Sequence, residues 1–268
     1  MPSQFSALGF EATSGEDLAA LASRVADRAD SIFVPEGQYL RWSPPSGEQL
    51  WLQLKKGGDA MGMNPHFGGK STVRATLEAR IRRDRHTPLD GTFIAWANPP
   101  AEATSSGDYP FVFDCPDAAT HAGLTLPMTV DVQVAAFAQN ATLHASEADY
   151  LSAQAAQGMS FPAKAVIPSG VIAPSGQPVS PPEPHALISG LVLEADERHN
   201  AITGNAFFWA LVESVGGTFD VIIDPTLLTH RPSAGNVVSG WFWLSGRIIT
   251  QTTAPSARSW FGRLTGRK

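Results

Sequence analysis

The sequence has little cysteine, little charge and no long apolar run. Cys115 is its one cysteine among 268 residues, which excludes an internal disulfide and fits a reducing compartment. No window approaches the roughly 18 consecutive apolar residues that a membrane span needs. The first six residues have neither the basic nor the apolar part of a secretory signal. We therefore expect a cytoplasmic protein with no membrane span.

Charged residues make up only 16% of the chain, and the formal net charge is -6. A negative field repels a phosphate backbone at long range, which disfavours general nucleic-acid binding and leaves only a local basic patch for it. Hydrophobic residues reach 43%, with 24 glycines and 21 prolines. This many turn residues is typical of short strands joined by turns, so the composition predicts an α+β fold that is mainly β.

Residues 1–57 predict a unit of strand, helix and three further strands. Ser14 and Asp17 have the spacing of a helix capping box, and an apolar stripe continues the helix to about Ala29. Turn residues separate the remaining segments. The predicted strands are Phe5 to Phe10, Ile32 to Val34, Gln38 to Trp42 and Gln49 to Leu54.

The order of Leu8-Gly9-Phe10, a helix, an aromatic strand and the turn Pro45-Ser46-Gly47 resembles one module of the vicinal oxygen chelate, or glyoxalase-like, superfamily. Enzymes of that superfamily place His and Glu metal ligands on the first and last strands of the module. Here the first strand has no histidine, and Trp51 stands nearest the place of the glutamate. The resemblance therefore implies a fold without metal chemistry, and we predict no metal site and no cofactor.

Residues 58–160 predict an antiparallel sheet that extends this unit. Val73 to Arg82 alternates apolar and polar residues, which indicates a strand. A short helix is predicted over Glu147 to Gln157 with Ser146 as its cap. Further strands are predicted at Thr92 to Ala97, Tyr109 to Phe113 and Thr129 to Phe137. The proline-rich segment 161–184 is interpreted as a linker and domain boundary.

Residues 185–255 predict a second domain, followed by a basic and aromatic tail at 256–268. Gly190, Gly240 and Gly246 interrupt strands where a sheet would bend. The region thus resembles a small β-barrel of the oligonucleotide/oligosaccharide-binding (OB) class. Its predicted strands are Ala186 to Ala195, Ala206 to Ser214, Thr218 to Ile223 and Asn236 to Ile249.

Short motifs for catalysis are incomplete. Gly69-Lys70-Ser71 resembles part of a phosphate loop, but Asn64 stands where that loop needs its first glycine. His66 is predicted in a glycine-flanked turn, where it serves either as a ligand or general base or as a histidine bonded to backbone. A hydrolase-type enzyme centred on His66, Asn64 and Lys70 therefore stays open as an alternative.

Aromatic and basic residues near the end of the chain are the candidate binding residues: Trp241, Trp243, Arg247, Arg258, Trp260 and Arg263. The tryptophans either fill the barrel core or form a platform for a ligand. Because no catalytic set is intact, we predict a non-catalytic binding or assembly module whose partner is another protein or a second copy. A second alternative is binding of single-stranded nucleic acid by the barrel, through the basic tail.

Overall fold

The computed structural model describes residues 3–101, 106–171 and 181–249, which are mainly β-sheet. Two α-helices occur in these ranges, α1 (Gly15–Ala26) and α2 (Glu147–Ala156). No helix in these ranges is long and apolar enough to cross a membrane. The strands in these ranges are β1 (Asp30–Val34), β2 (Gly37–Trp42), β3 (Glu48–Lys55), β4 (Ala60–Phe67), β5 (Val73–Ile81), β6 (Thr92–Ala97), β7 (Pro110–Asp114), β8 (Met128–His144), β9 (Ala165–Ile167), β10 (His185–His199), β11 (Ala206–Ser214), β12 (Gly217–Ile223) and β13 (Val237–Ile249).

The N-terminal unit contains the predicted helix and three of its four predicted strands. Ser14 Oγ accepts a hydrogen bond from the Asp17 backbone N–H at 3.1 Å, and Asp17 Oδ2 accepts one from the Ser14 N–H at 2.9 Å. The predicted capping box is thus confirmed, although α1 ends at Ala26 rather than near Ala29. Strands β1 to β4 form a four-stranded antiparallel sheet in chain order.

Two local predictions in this unit are wrong. The predicted first strand, Phe5 to Phe10, is a 3-10 turn, because Gly9 adopts φ 77° and its N–H closes the turn on the Ser6 carbonyl at 2.8 Å. The predicted turn around His66 is strand β4, in which His66 lies opposite Gln49 of β3. The small sheet therefore gains its fourth strand after β3 rather than before α1.

The remaining strands form one nine-stranded sheet. Several of its strands also pair with a strand that is not their neighbour in the linear order of the sheet. β8 pairs with β13, β13 with β10, β10 with β11, β11 with β12, and β12 again with β8. The first four of these pairings are antiparallel, and the β12 to β8 pairing is parallel. These five strands therefore form a closed circuit of hydrogen-bonded neighbours.

The predicted boundary at 161–184 does not separate two sheets, which corrects the predicted division. β8 lies before this segment and pairs with β12 and β13 after it. The segment itself contributes β9, which pairs with β10. The physical reason is that buried strands must satisfy their backbone hydrogen bonds, and two of the three partners of β8, namely β12 and β13, are supplied by the C-terminal part of the chain.

The two largest of the four hydrophobic clusters in the described residues hold the layers together. The larger lies within the nine-stranded sheet and includes Phe113, Phe219 and Phe242. The second packs α1 and the small sheet against the large sheet and contains Leu21 and Phe137. The strand glycines permit close packing: a Cβ at Gly240 would lie 2.2 Å from the Asn140 carbonyl oxygen, and one at Gly246 would lie 2.4 Å from the Phe113 ring.

Candidate functional site

A cavity of about 160 Å³, here called the intersheet cavity, lies where β4 of the small sheet approaches β13 of the large sheet. Its carboxylates are held by donors of the fold itself. Asp114 Oδ2 accepts from Trp243 Nε1 at 3.1 Å and Oδ1 from Arg83 at 3.0 Å, while Asp90 Oδ1 accepts from the Asn64 amide at 2.8 Å. The lining residues are Asn64, His86, Asp90, Gly91, Asp114, Cys115, Pro116, Trp243 and Ser245.

A buried chain of polar side chains runs inward from this cavity. Ser245 Oγ lies 2.8 Å from His66 Nδ1, and His66 Nε2 lies 2.8 Å from Gln133 Oε1. Gln133 Nε2 donates to Asp220 Oδ2 at 2.7 Å. Since an amide oxygen can only accept, His66 carries its proton on Nε2, and its Nδ1 accepts the hydroxyl of Ser245.

His66 is completely buried, and its pKa is lowered to about 3 by burial and by the positive charge of Arg247. The imidazole is therefore neutral at physiological pH. Its contact with Ser245 has the geometry of a serine and histidine pair. However, a fully buried imidazole with so low a pKa is too weak a base to deprotonate the serine hydroxyl. The pair therefore favours a structural role.

The three predicted catalytic residues do not converge. Asn64 lines the intersheet cavity, and His66 reaches it only through Ser245. Lys70 is absent from the lining and pairs through Nζ with Glu194 at 2.5 Å. A hydrolase centre built from these three side chains is not assembled in the described residues.

The sequence Gly69-Lys70-Ser71 binds a carboxylate of the protein itself. Asp220 is fully buried, and it accepts the Lys70 N–H at 3.0 Å, the Ser71 N–H at 2.9 Å and Trp209 Nε1 at 2.8 Å. A Cβ at Gly69 would lie 2.1 Å from the carboxylate, so the loop needs glycine there. Successive amides that resemble a phosphate loop thus have an internal anion as their partner.

The predicted binding residues of β13 are largely committed to packing. Trp241 is half-buried and stacks on His185 at a ring distance of 5.9 Å, and half-buried Trp243 donates to Asp114. Arg247 Nε donates to Asp117 Oδ2 at 3.1 Å. Phe242, between the tryptophans, is in the core. The other predicted residues, Arg258, Trp260 and Arg263, lie outside the described residues.

Three chemically different side chains converge beside the intersheet cavity: Cys115, Asp117 and His121, here called the Cys-Asp-His cluster. Cys115 Sγ lies 3.2 Å from Asp117 Oδ1, and His121 Nε2 lies 3.6 Å from the same oxygen. All three ligand atoms lie within 4.8 Å of one another. This cluster was not predicted from the sequence, in which Cys115 served only to exclude an internal disulfide and His66 was the one histidine considered. The spacing Cys-x-Asp-x-x-x-His was the available signal.

Local structure explains the convergence. Cys115 follows β7, and Asp117 immediately precedes the 3-10 helix Ala118–His121, so Asp117 and His121 lie about one helical turn apart. Burial raises the pKa of Cys115, and the charge of Asp117 raises it further. Burial would also raise the pKa of Asp117, but the nearby imidazole of His121 and the charge of Arg247 outweigh it and lower the pKa.

A second recess, here called the apolar groove, has a volume of about 270 Å³. Four large side chains at the groove are unusually exposed: Met159 at 38%, Phe161 at 44%, Ile167 at 37% and Leu187 at 38%. Strands β8, β10 and β13 line it together with α2 and β9. The lining residues are Asn140, Thr142, Tyr150, Gln154, Met159, Phe161, Ala165, Ile167, Leu187, Ile188, Ser189, Ser239 and Gly240.

Helix α2 forms one wall of the groove. Ser146 Oγ accepts the Asp149 N–H at 3.2 Å and so begins the helix, which buries Tyr150 against Ala163 and Val237. Gln154, on the same helix, lines the groove, and its Oε1 is enclosed without a hydrogen-bond partner among the described residues. The groove therefore combines apolar surface with an acceptor that lacks a donor.

No family model, no curated protein and no solved structure matches the chain.

Proposed function

We propose that the protein is a non-catalytic binding module and that its ligand occupies the apolar groove. The observation that carries the proposal is the group of four large apolar side chains exposed around one recess of about 270 Å³. Exposed apolar surface gathered at a concave site is typical of ligand binding, whereas single exposed apolar residues are ordinary.

The groove selects a small amphiphile, with an apolar body and one hydrogen-bond donor. Phe161 and Leu187 supply surface for the apolar body. Oε1 of Gln154, which is enclosed and unpartnered, accepts the donor once the side-chain amide turns this oxygen into the groove, since leaving a buried acceptor unpaired costs on the order of 1–3 kcal/mol. A hydroxyl or an amide N–H fits this requirement, and a carboxylate does not.

The scaffold of this proposal is a barrel of the OB class. The closed circuit of β8, β10, β11, β12 and β13 supports it, because five strands that pair in a ring enclose a core in the way these small barrels do. The groove lies on the outside of β10 and β13, where α2 and β9 cover the circuit. The likeness of residues 1–57 to a glyoxalase-like module stays a proposal of the same kind, for a unit whose first strand is replaced by a turn.

A titration with 1-octanol, followed by two-dimensional NMR, tests the proposed function. We expect saturable shifts at Phe161 and Leu187, and an affinity about fivefold weaker in Phe161→Ser because a ring contact is lost. Phe33→Ser is the matched control, since Phe33 is 77% exposed on β1 and lies outside the groove lining.

Equal affinities for the two variants, or shifts spread over the surface, would overturn the proposal. Sedimentation of the wild type is measured in parallel. A concentration-dependent dimer that octanol does not dissociate would show that the groove is a subunit interface instead.

A further inference from the structure

The Cys-Asp-His cluster joins a soft thiol, a carboxylate and an imidazole at one point. Cys115 is 1% exposed and Asp117 is 4% exposed. A borderline-soft ion such as Zn²⁺ accepts all three ligand types, whereas a hard ion such as Mg²⁺ or Ca²⁺ disfavours the sulfur. The donor set therefore points to zinc.

Two of the three ligand-to-ligand distances match a tetrahedral ion. Zinc lies roughly 2.3 Å from sulfur and 2.0–2.2 Å from nitrogen or oxygen, which places neighbouring ligand atoms roughly 3.3–3.7 Å apart. The sulfur to oxygen distance in the cluster is 3.2 Å, and the nitrogen to oxygen distance is 3.6 Å. The Cys115 sulfur and the His121 ligand nitrogen lie within 4.8 Å of each other, so an ion enters once these two atoms move together by up to about 1 Å.

The side chain of His121 has an unpartnered nitrogen beside the cluster. Its Nε2 is enclosed and has no hydrogen-bond partner among the described residues, since Asp117 Oδ1 at 3.6 Å is too distant for a good bond. A buried polar atom without a partner is costly and rare. A metal ion between His121 and Cys115 satisfies this nitrogen.

The second oxygen of Asp117 is oriented for this role. Arg247 Nε holds Oδ2 at 3.1 Å, which leaves Oδ1 turned towards Cys115 and His121. Ligating carboxylates commonly have such an outer partner, which fixes their orientation. The positive charge of Arg247 is tolerable because its side chain is 30% exposed to solvent.

We propose that Cys115, Asp117 and His121 bind one Zn²⁺ ion. This site is separate from the apolar groove, and its proposal does not depend on the proposed binding function. The Cys115 thiol transfers its proton to solvent as the Zn–S bond forms. The neutral imidazole and the ionised carboxylate complete a set of three protein ligands, and water fills the fourth position, as in zinc sites that keep one position open.

Cobalt substitution tests the site directly. With one equivalent of Co²⁺, the wild type should show a thiolate-to-cobalt charge-transfer band and the visible bands of a tetrahedral ion, and stoichiometric Zn²⁺ should abolish both. Since Cys115 is the only cysteine, the band should be absent from Cys115→Ser. Its absence from the wild type would overturn the proposal without any variant.

Zinc affinity, measured by competition with a chromogenic chelator, separates the ligands from their surroundings. His121→Gln and Asp117→Asn should each weaken binding at least tenfold. His86→Gln is the matched control, because His86 lines the intersheet cavity but is outside the cluster, and its affinity should equal that of the wild type. Unchanged affinity in both ligand variants would contradict the assignment, and circular dichroism confirms that each variant is folded.

Discussion

At the scale of single residues, Asp220 is a buried carboxylate that the fold holds with four hydrogen bonds. Each carboxylate oxygen accepts two hydrogen bonds, and all four partners are donors: the Lys70 and Ser71 amides, Trp209 Nε1 and Gln133 Nε2. The sequence offered Gly69-Lys70-Ser71 as a phosphate-binding motif, but it could not show that the anion is 150 residues away in the same chain. A sequence motif identifies the hydrogen-bond donors but does not determine which anion they bind.

Asp220→Asn should lower the free energy of unfolding by about 2–4 kcal/mol. Either orientation of the amide places its NH₂ group against two donors, so two hydrogen bonds to a buried acceptor are lost. Urea denaturation measures the change. Asp30→Asn is the control, since Asp30 is 69% exposed in its pair with Arg41, and its cost should stay below about 1 kcal/mol. Similar costs for both variants would contradict the network.

His66 predicts how stability depends on pH. Its pKa in the folded protein is about 3, below the ordinary 6.5, so the unfolded chain takes up a proton in this window that the folded chain refuses. The stability contributed by neutral His66 is therefore present above pH 6.5 and is lost as the pH falls towards 3, by up to about 1.4 kcal/mol per pH unit.

Urea denaturation at a series of pH values measures this slope. His66→Gln should show a shallower slope than the wild type over the window. His199→Gln is the control for removing a histidine at an exposed position, because the side chain of His199 is 61% exposed. An unchanged slope in His66→Gln would contradict the sealed, neutral imidazole.

At the scale of elements, the sequence predicted the helices and strands whose signals lie in adjacent residues. The capping box of α1 and the alternation of β5 are written in adjacent residues, and both are confirmed. β4 was missed because Gly62 and Pro65 disfavour a strand. Proline is tolerated there because β4 is an edge strand of the small sheet, a position that no adjacent residue reveals.

Ser14→Ala should destabilise the protein by about 1 kcal/mol, because the first turn of α1 loses the acceptor for the Asp17 amide. Thermal unfolding monitored by circular dichroism measures the loss. Ser23→Ala is the matched control within the same helix, where the hydroxyl bonds back to the Ala19 carbonyl, and it should be neutral or slightly stabilising. A neutral Ser14→Ala would show that the cap does not limit stability.

At the scale of the whole molecule, the long strand β8 decides the organisation. It pairs with β5 on the N-terminal side of the proline-rich segment and with β12 and β13 on the other. The sequence predicted β8 but not its partners, because pairing between distant strands is set by their combined fit. The Cys-Asp-His cluster is encoded locally, within seven residues, whereas the apolar groove exists only after the strands assemble.

A fragment of residues 1–160 should fail to unfold cooperatively in urea, since it exposes the β8 surface that β12 and β13 cover. The full chain should lose tryptophan fluorescence and far-ultraviolet dichroism in one coincident transition. A cooperative transition in the fragment, with the slope expected for its size, would show that the predicted boundary separates independent folding units after all.

The most direct test of the proposed binding function compares 1-octanol with its isomer 1-methoxyheptane by NMR titration. The two probes have the same composition, and only the alcohol can donate to Gln154 Oε1. We predict that the wild type binds the alcohol roughly tenfold more tightly, as one hydrogen bond implies, and that Gln154→Leu removes the preference. Equal affinities for both probes in the wild type, or an unchanged preference in Gln154→Leu, would contradict the account.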